Sequence, residues 1–368
     1  MSSAVFLPHA DSQRLFEVLH AAGYQTLAPR PREGAIEFAP LDSARQLPWG
    51  LHDQQGPGHY RLEQDHSPRA FAWANGPQAL KPLLFAPQET LWQVERDAGG
   101  QMRFAAVAPP QQARAVIGVR PCDLAALKIH DAHFLGGERD GHYAARRQGL
   151  LLVAVNCSHP AETCFCVATG DGPAAAEHSG YDLLMDELDD GFILRAGSET
   201  GQALLGQLAL PAASAAQAQQ AERQQQDARD MQQRGLPKDV SQSLQGQMDH
   251  PRWQQVAERC LACGNCTSVC PTCFCHSERE QPALDGVSSE HLREWDSCFT
   301  SGHSYLHGHL VRESGAQRYR QWLMHKLAWW PEQFGRIGCV GCGRCISWCP
   351  VGIDITAEAA ALCQGEQA

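Results

Sequence analysis

The sequence predicts a multidomain α+β chain: an N-terminal α/β domain over residues 1–210, an Ala/Gln-rich helical linker over 211–250 and an all-helical domain over 251–368. Three observations lead there. Two short apolar runs, at 115–119 and 150–155, read as buried strands on either side of a helical segment. Ala and Gln dominate residues 212–233 before a break at Gly235-Leu-Pro237, and such a change of composition marks a boundary. Beyond it the segments 253–260, 319–327 and 353–362 are all compatible with helix.

In chain order, Asp11 is placed to cap a first helix with apolar residues Leu15, Phe16, Val18 and Leu19, which Gly23 would end. A loop-rich stretch follows, with Pro29, Pro31, Pro40, Pro48 and Pro57 around a short strand at 35–38. After the strand at 115–119 comes Arg120-Pro-Cys-Asp123, where Asp123 is placed to cap a helix running from Leu124. The strand at 150–155 opens directly into Asn156-Cys157 and then Thr163-Cys-Phe-Cys166. Strand, turn, helix, strand is an α/β unit, and cysteines at the carboxyl ends of neighbouring strands can converge as ligand sites do on such sheets. Both a long exposed helix and a weakly structured polar linker fit residues 211–249.

The chain has 368 residues, 43% of them hydrophobic, and a formal charge of −11. That length suits about two domains. The acidic balance argues against nucleic acid, whose phosphates demand a basic footprint. No apolar run is long enough to enter a membrane and no signal-peptide pattern opens the chain, so a cytoplasmic protein is expected. In that compartment sixteen cysteines point to metal and redox chemistry rather than to disulfides.

Eight of those cysteines fall in two runs, Cys260-x-x-Cys263-x-x-Cys266-x-x-x-Cys270-Pro271 and Cys339-x-x-Cys342-x-x-Cys345-x-x-x-Cys349-Pro350. Three thiolates at this spacing wrap one corner of a 4Fe-4S cluster, and the fourth, followed by proline, turns away to ligate the other cluster. A structural zinc would need four ligands in two pairs, which fits less well. The expected sets are therefore crossed: Cys260, Cys263, Cys266 and Cys349 around one cluster, Cys339, Cys342, Cys345 and Cys270 around the other. The 68-residue gap between the runs, 271–338, far exceeds a compact ferredoxin's hairpin and resembles the all-helical ferredoxin module of succinate dehydrogenase iron-sulfur subunits.

Several longer strings extend the pattern: Arg120-Pro-Cys-Asp, Asn156-Cys157, Cys164-Phe-Cys166, Gly180-Tyr-Asp182, Cys270-Pro-Thr-Cys-Phe-Cys275, Trp295-Asp-Ser-Cys298 and Cys339-Val-Gly-Cys-Gly-Arg-Cys345. In them the chain resembles the beta, iron-sulfur subunit of soluble NAD(P)-linked nickel-iron hydrogenases, the sulfhydrogenases, and also the related iron-sulfur subunit of anaerobic sulfite reductase. The resemblance implies an electron-transfer subunit without a catalytic site of its own. Its partners would be a flavin subunit that handles NAD(P)(H) and the nickel-iron small and large subunits, or, in the other branch, a sirohaem sulfite reductase subunit. The string at 339–354 lies closer to the hydrogenase branch.

Eight cysteines remain. Cys122, Cys157, Cys164 and Cys166 make a complete set of four, for which a third iron-sulfur cluster, buried thiols and zinc are the competing readings. Cys273, Cys275 and Cys298 lack an evident fourth partner unless Cys363 or a histidine joins them, and are expected to pack around the clusters. His303, His307 and His309 are expected at the surface or in packing. Arg312, Arg318, Arg320, Lys326, Arg336 and Arg344 lie between or within the runs, where tuning of anionic clusters, an acidic partner and a solvated face are equal readings. No dinucleotide fingerprint or P-loop is present, so the nucleotide and flavin are expected on another subunit.

Overall fold

The computed structural model describes residues 4–364. Its strands in chain order are β1 (Val5–Pro8), β2 (Gln25–Arg32), β3 (Ala35–Pro40), β4 (Leu51–Gly56), β5 (His59–Gln64), β6 (Gln88–Arg96), β7 (Met102–Ala106), β8 (Arg114–Val119) and β9 (Leu150–Val155). They continue with β10 (Leu183–Glu187), β11 (Gly191–Ala196), β12 (His276–Pro282), β13 (Ser288–Trp295), β14 (Tyr305–Leu306) and β15 (His309–Leu310). The main sheet has seven strands in the order β1-β11-β10-β9-β8-β2-β3, and its β10-β9-β8-β2 centre is parallel.

The apolar runs in β8 and β9 are continuous because both faces of the sheet are covered. Ala115, Ile117, Leu151, Val153 and Val155 face one core with Phe16, Phe71 and Trp73. Their alternates Val116, Val119, Leu152 and Ala154 face the other core with Leu124, Leu127 and Phe134. The first helix, Gln13–Ala21, covers the former face through Leu15, Phe16 and Leu19. Helix Pro121–Phe134 covers the latter.

Two helix starts differ from expectation. Asp11 sits in a 3-10 turn and the first helix begins after Ser12, without a side-chain cap. Helix Pro121–Phe134 is started by proline at its first position, and Asp123 lies inside it with its carboxylate committed to Asn75 and Arg344 instead of the backbone. Between 211 and 250 the chain forms helix Ala215–Asp230, capped by Ser214 and Gln217, and a short helix Val240–Gln245.

The region after 251 is mixed rather than all-helical. Helices Arg252–Arg259, Gly315–Met324 and Ile355–Cys363 form as the sequence suggests. The segment between the cysteine runs, however, also folds as the β12–β13 hairpin, and β13 pairs antiparallel with β6 to complete a four-stranded sheet β12-β13-β6-β7. The pairing is locked by Arg293, 5% exposed, which donates to Glu89 of β6 across 2.6 Å. Glu89 also accepts from Arg146, so this buried carboxylate ties three separated segments together.

A candidate iron-sulfur centre between the sheet and the cysteine runs

The first cysteine run leaves helix Arg252–Arg259 at Cys260 and turns at Gly264, whose positive φ of 74° lets the loop double back before the short helix Asn265–Ser268. Cys260, Cys263 and Cys266 line a cavity together with Cys349 and Cys345, which come from the other run. Its empty space, counting the open mouth, is about 420 Å³, and its walls are Phe299, Tyr319, Trp322 and Ile353. Backbone N–H groups already aim at sulfur here, Ala262 toward Cys260 at 3.4 Å and Ile353 toward Cys349 at 3.3 Å.

The second run gathers Cys339, Cys342, Cys345 and Cys270. Burial raises the Cys339 thiol to about 12, and Cys342 and Cys270 add repulsion between thiolates. Burial likewise raises Cys345 well above its usual value, followed by Cys339, Cys342 and Cys270. Cys270 is the exception, held well below the usual thiol range by its hydrogen bond with Cys273 and then by the Lys326 cation, against the cost of burial. Lys326 Nζ donates to Cys270 Sγ at 3.1 Å and to Thr272 Oγ1 at 3.0 Å. A set of buried thiols whose charges oppose one another deprotonates only around a positive centre, which is what thiolate-bound iron provides.

Cys122 and Cys157 follow the carboxyl ends of β8 and β9, Cys164 and Cys166 lie in the loop beyond β9, and Cys342 of the second run is near Cys122, Cys164 and Cys166. Cys164 Sγ points at the Cys342 carbonyl, 3.8 Å away, and the Phe165 N–H donates to the Gly341 carbonyl at 2.8 Å. Thr163 and Ser347 share a buried hydroxyl contact of 2.7 Å. Gly341 and Gly343 make this approach possible: a Cβ on Gly341 would lie 2.5 Å from the Phe165 carbonyl oxygen, and one on Gly343 2.4 Å from that of Thr163. Burial pushes Cys122 and Cys164 well above their usual range, and Cys166 to about 12. Gln232, from the Ala/Gln-rich segment, donates to Cys166 Sγ at 3.4 Å.

Buried guanidinium groups with some unpartnered N–H atoms lie beside this third set. Arg120 is 2% exposed; its Nη2 donates to the Phe71 and Trp73 carbonyls, while Nε and Nη1 have no partner among the described residues. The nearby charge of Arg120 acts on Cys157, and that of Arg344, whose Nε is also unpartnered, on Cys122. Buried guanidinium N–H groups left without a partner are costly unless an acceptor completes them, and a thiolate-bound cluster is anionic. The residues therefore fit the group. Among the described residues no group of three or more His, Cys, Asp or Glu side chains stands close enough to hold a single metal ion.

A 4Fe-4S dicluster domain matches residues 259–353. Sulfhydrogenase 2 subunit beta of Pyrococcus furiosus is 31% identical over 290 residues, covering 74% of this chain and 79% of that protein. The chain belongs to the sulfhydrogenase beta-subunit family. Within that family, it is an iron-sulfur electron-transfer subunit of an oxidoreductase. No solved structure matches the chain. No helix among the described residues is long and apolar enough to cross a membrane.

The other candidates separate in this family member. Cys273, Cys275 and Cys298 lie beside Cys270, Lys326 and Lys81, and Cys363 lies apart near Ser243. His307 and His309 are exposed, and His303 stands 3.5 Å from Asp296. Of the six basic residues, Arg336 pairs with Asp171, Arg318 and Arg320 donate to backbone carbonyls, Lys326 and Arg344 are buried beside thiols, and Arg312 has a buried Nε without a partner among the described residues. Lys81, 6% exposed, was not foreseen; its Nζ donates to the carbonyls of Thr267 and Ser268 at 3.2 Å and lies 3.8 Å over the Trp295 ring. A lone lysine in the apolar string Ala79-Leu-Lys-Pro-Leu-Leu-Phe85 was the signal for it.

Proposed function

We propose that this chain relays electrons between a flavin subunit that handles NAD(P)(H) and a nickel-iron hydrogenase module, through two 4Fe-4S clusters with crossed ligands and a third held by Cys122, Cys157, Cys164 and Cys166. The observation that carries the reading is continuity. Cys345 borders both ferredoxin-type thiol sets, and Cys342 borders both the second set and the third. The clusters supply one-electron chemistry, while this chain's residues fix distances, exclude water and place charge. Phe299, Tyr319 and Trp322 wall the first set, and the β4–β5 hairpin covers the second run, with Tyr60 against Trp348 at 4.9 Å.

Segments 1–210, 211–250 and 251–368 are the working parts in this reading, with the third set contributed by the first and the crossed pair by the last. The name of the matched relative supports the hydrogenase branch. The test is anaerobic purification together with the proteins that accompany the chain, followed by iron analysis. About twelve irons per copy of this chain, with nickel-iron and flavin subunits present, is the expected result. About eight would remove the third cluster, and a sirohaem protein in place of nickel would overturn the branch.

A further inference from the structure

We infer that Lys326 makes the cluster bound through Cys270 the higher-potential member of the crossed pair, so that an electron arriving on this pair rests at the second run. The inference rests on the crossed ligand sets proposed above. Lys326 occupies a π-helical turn, His325–Trp329, at the end of helix Gly315–Met324. Such turns insert one residue and re-aim the side chains they carry. This one holds the ammonium 5% exposed, 3.1 Å from Cys270 Sγ, with Thr272 Oγ1 as its other partner. The Lys326 carbonyl accepts from the Gly338 N–H at 2.7 Å, which fixes the turn directly against Cys339.

The two thiol sets differ in kind. The cavity of the first run is lined by Leu261, Phe299, Tyr319, Trp322, Val351 and Ile353, and no charged side chain is among its lining residues. The second set has Lys326 on Cys270 and the Arg344 charge on Cys342. Among the described residues no carboxylate pairs with Lys326 or Lys81. A buried ammonium needs an anion, and the sulfur set is the group offered to it. Reduction adds one electron and makes or breaks no bond, so a fixed positive charge and an N–H···S bond favour the reduced state in proportion to their proximity.

The experiment is a mediated redox titration, followed by EPR, of the anaerobically prepared full chain and of Lys326→Met. The wave belonging to the second run is assigned by its altered spectrum in Cys339→Ser. Lys326→Met should lower the reduction equilibrium constant of that wave about tenfold, ~59 mV for one electron. The first-run wave should move much less, and Lys326→Arg should restore most of the shift. A Lys326→Met chain with full iron content and unmoved waves, or with both waves moved equally, overturns the inference while leaving the ligand sets standing. Iron content too low for two clusters in the unaltered chain would instead remove the reading beneath it. If Lys326→Met does not assemble, the same titration of Lys326→Gln, which keeps a donor and loses the charge, decides. A second-run wave lowered relative to the first-run wave is expected, and unmoved waves overturn the inference.

Discussion

Arg344 donates to Asp123 across 2.7 Å, and both side chains are shut off from solvent, at 2% and 0% exposure. Asp123 comes from the Arg-Pro-Cys-Asp turn after β8, and Arg344 from the middle of the second cysteine run. The pair therefore clamps Cys122 beside Cys342 and joins the α/β sheet to the cluster-binding loops. Asn75 also donates to Asp123, so each carboxylate oxygen has a partner within the protein.

Breaking that pair from one side should be severe. Asp123→Asn leaves a buried guanidinium uncompensated, at a cost of about 3–5 kcal/mol. Thermal unfolding followed anaerobically should show a large drop, with loss of iron from the second run. Arg61→Ala, which removes an exposed partner of Glu63, should change stability by no more than about 1 kcal/mol.

The glycines of the second run should tolerate no side chain. Gly341→Ala and Gly343→Ala add backbone strain, at φ of 62° and 71°, to a Cβ overlapping carbonyl oxygens of the Thr163–Cys166 loop. Gly137, at φ 67°, has no atom within 4 Å of where a Cβ would stand, so Gly137→Ala isolates the backbone component. That component is about 1–2 kcal/mol. The two cluster-loop variants should lose clearly more, as read from denaturant midpoints and iron content, and equal losses at all three positions would refute the close approach.

Ligand crossing predicts a cross-wise phenotype. Cys349→Ser should disturb the spectrum that Cys263→Ser disturbs, and Cys270→Ser the one that Cys342→Ser disturbs. Mössbauer or EPR spectra of the four variants check this, and disturbances that follow sequence runs instead would show uncrossed ligation.

Glu187 gives the fold a pH dependence. Burial raises its carboxyl from 4.5 to about 7, against the donations from the Ala70 and Phe71 N–H groups. Because the folded value is the higher one, the contribution is full below about 4.5 and lost as pH rises through about 7. The difference amounts to at most about 3 kcal/mol. Apparent melting temperatures between these pH values should fall with pH in the parent chain and fall less in Glu187→Gln, even though the amide gives up one of the two backbone bonds.

Much of the site was legible because its chemistry is local in sequence. Cysteine spacing followed by proline named the cofactor, and the apolar runs of β8 and β9 marked buried strands of an α/β unit. The β12–β13 hairpin was not legible: His276–Pro282 is almost wholly exposed and reads as charged residues without alternation, so no period marks it as a strand. Its place is set by β13 meeting β6, nearly two hundred residues away in the chain. Asp123 looked like a helix cap because its partner, Arg344, is equally remote.

By itself the sequence determined that this chain ligates iron-sulfur clusters and which α/β unit carries the additional thiols, since ligand spacing and strand hydrophobicity are short-range properties. Tertiary structure alone decided that the Cys164-Phe-Cys166 loop rests on Gly341 and Gly343, that Arg120 and Arg344 bring unpartnered N–H groups to the third thiol set, and that Lys326 reaches Cys270. Those relationships depend on how the sheet docks against the cysteine runs. Buried charge and close backbone approach acquire their energetic meaning only after that docking has removed water.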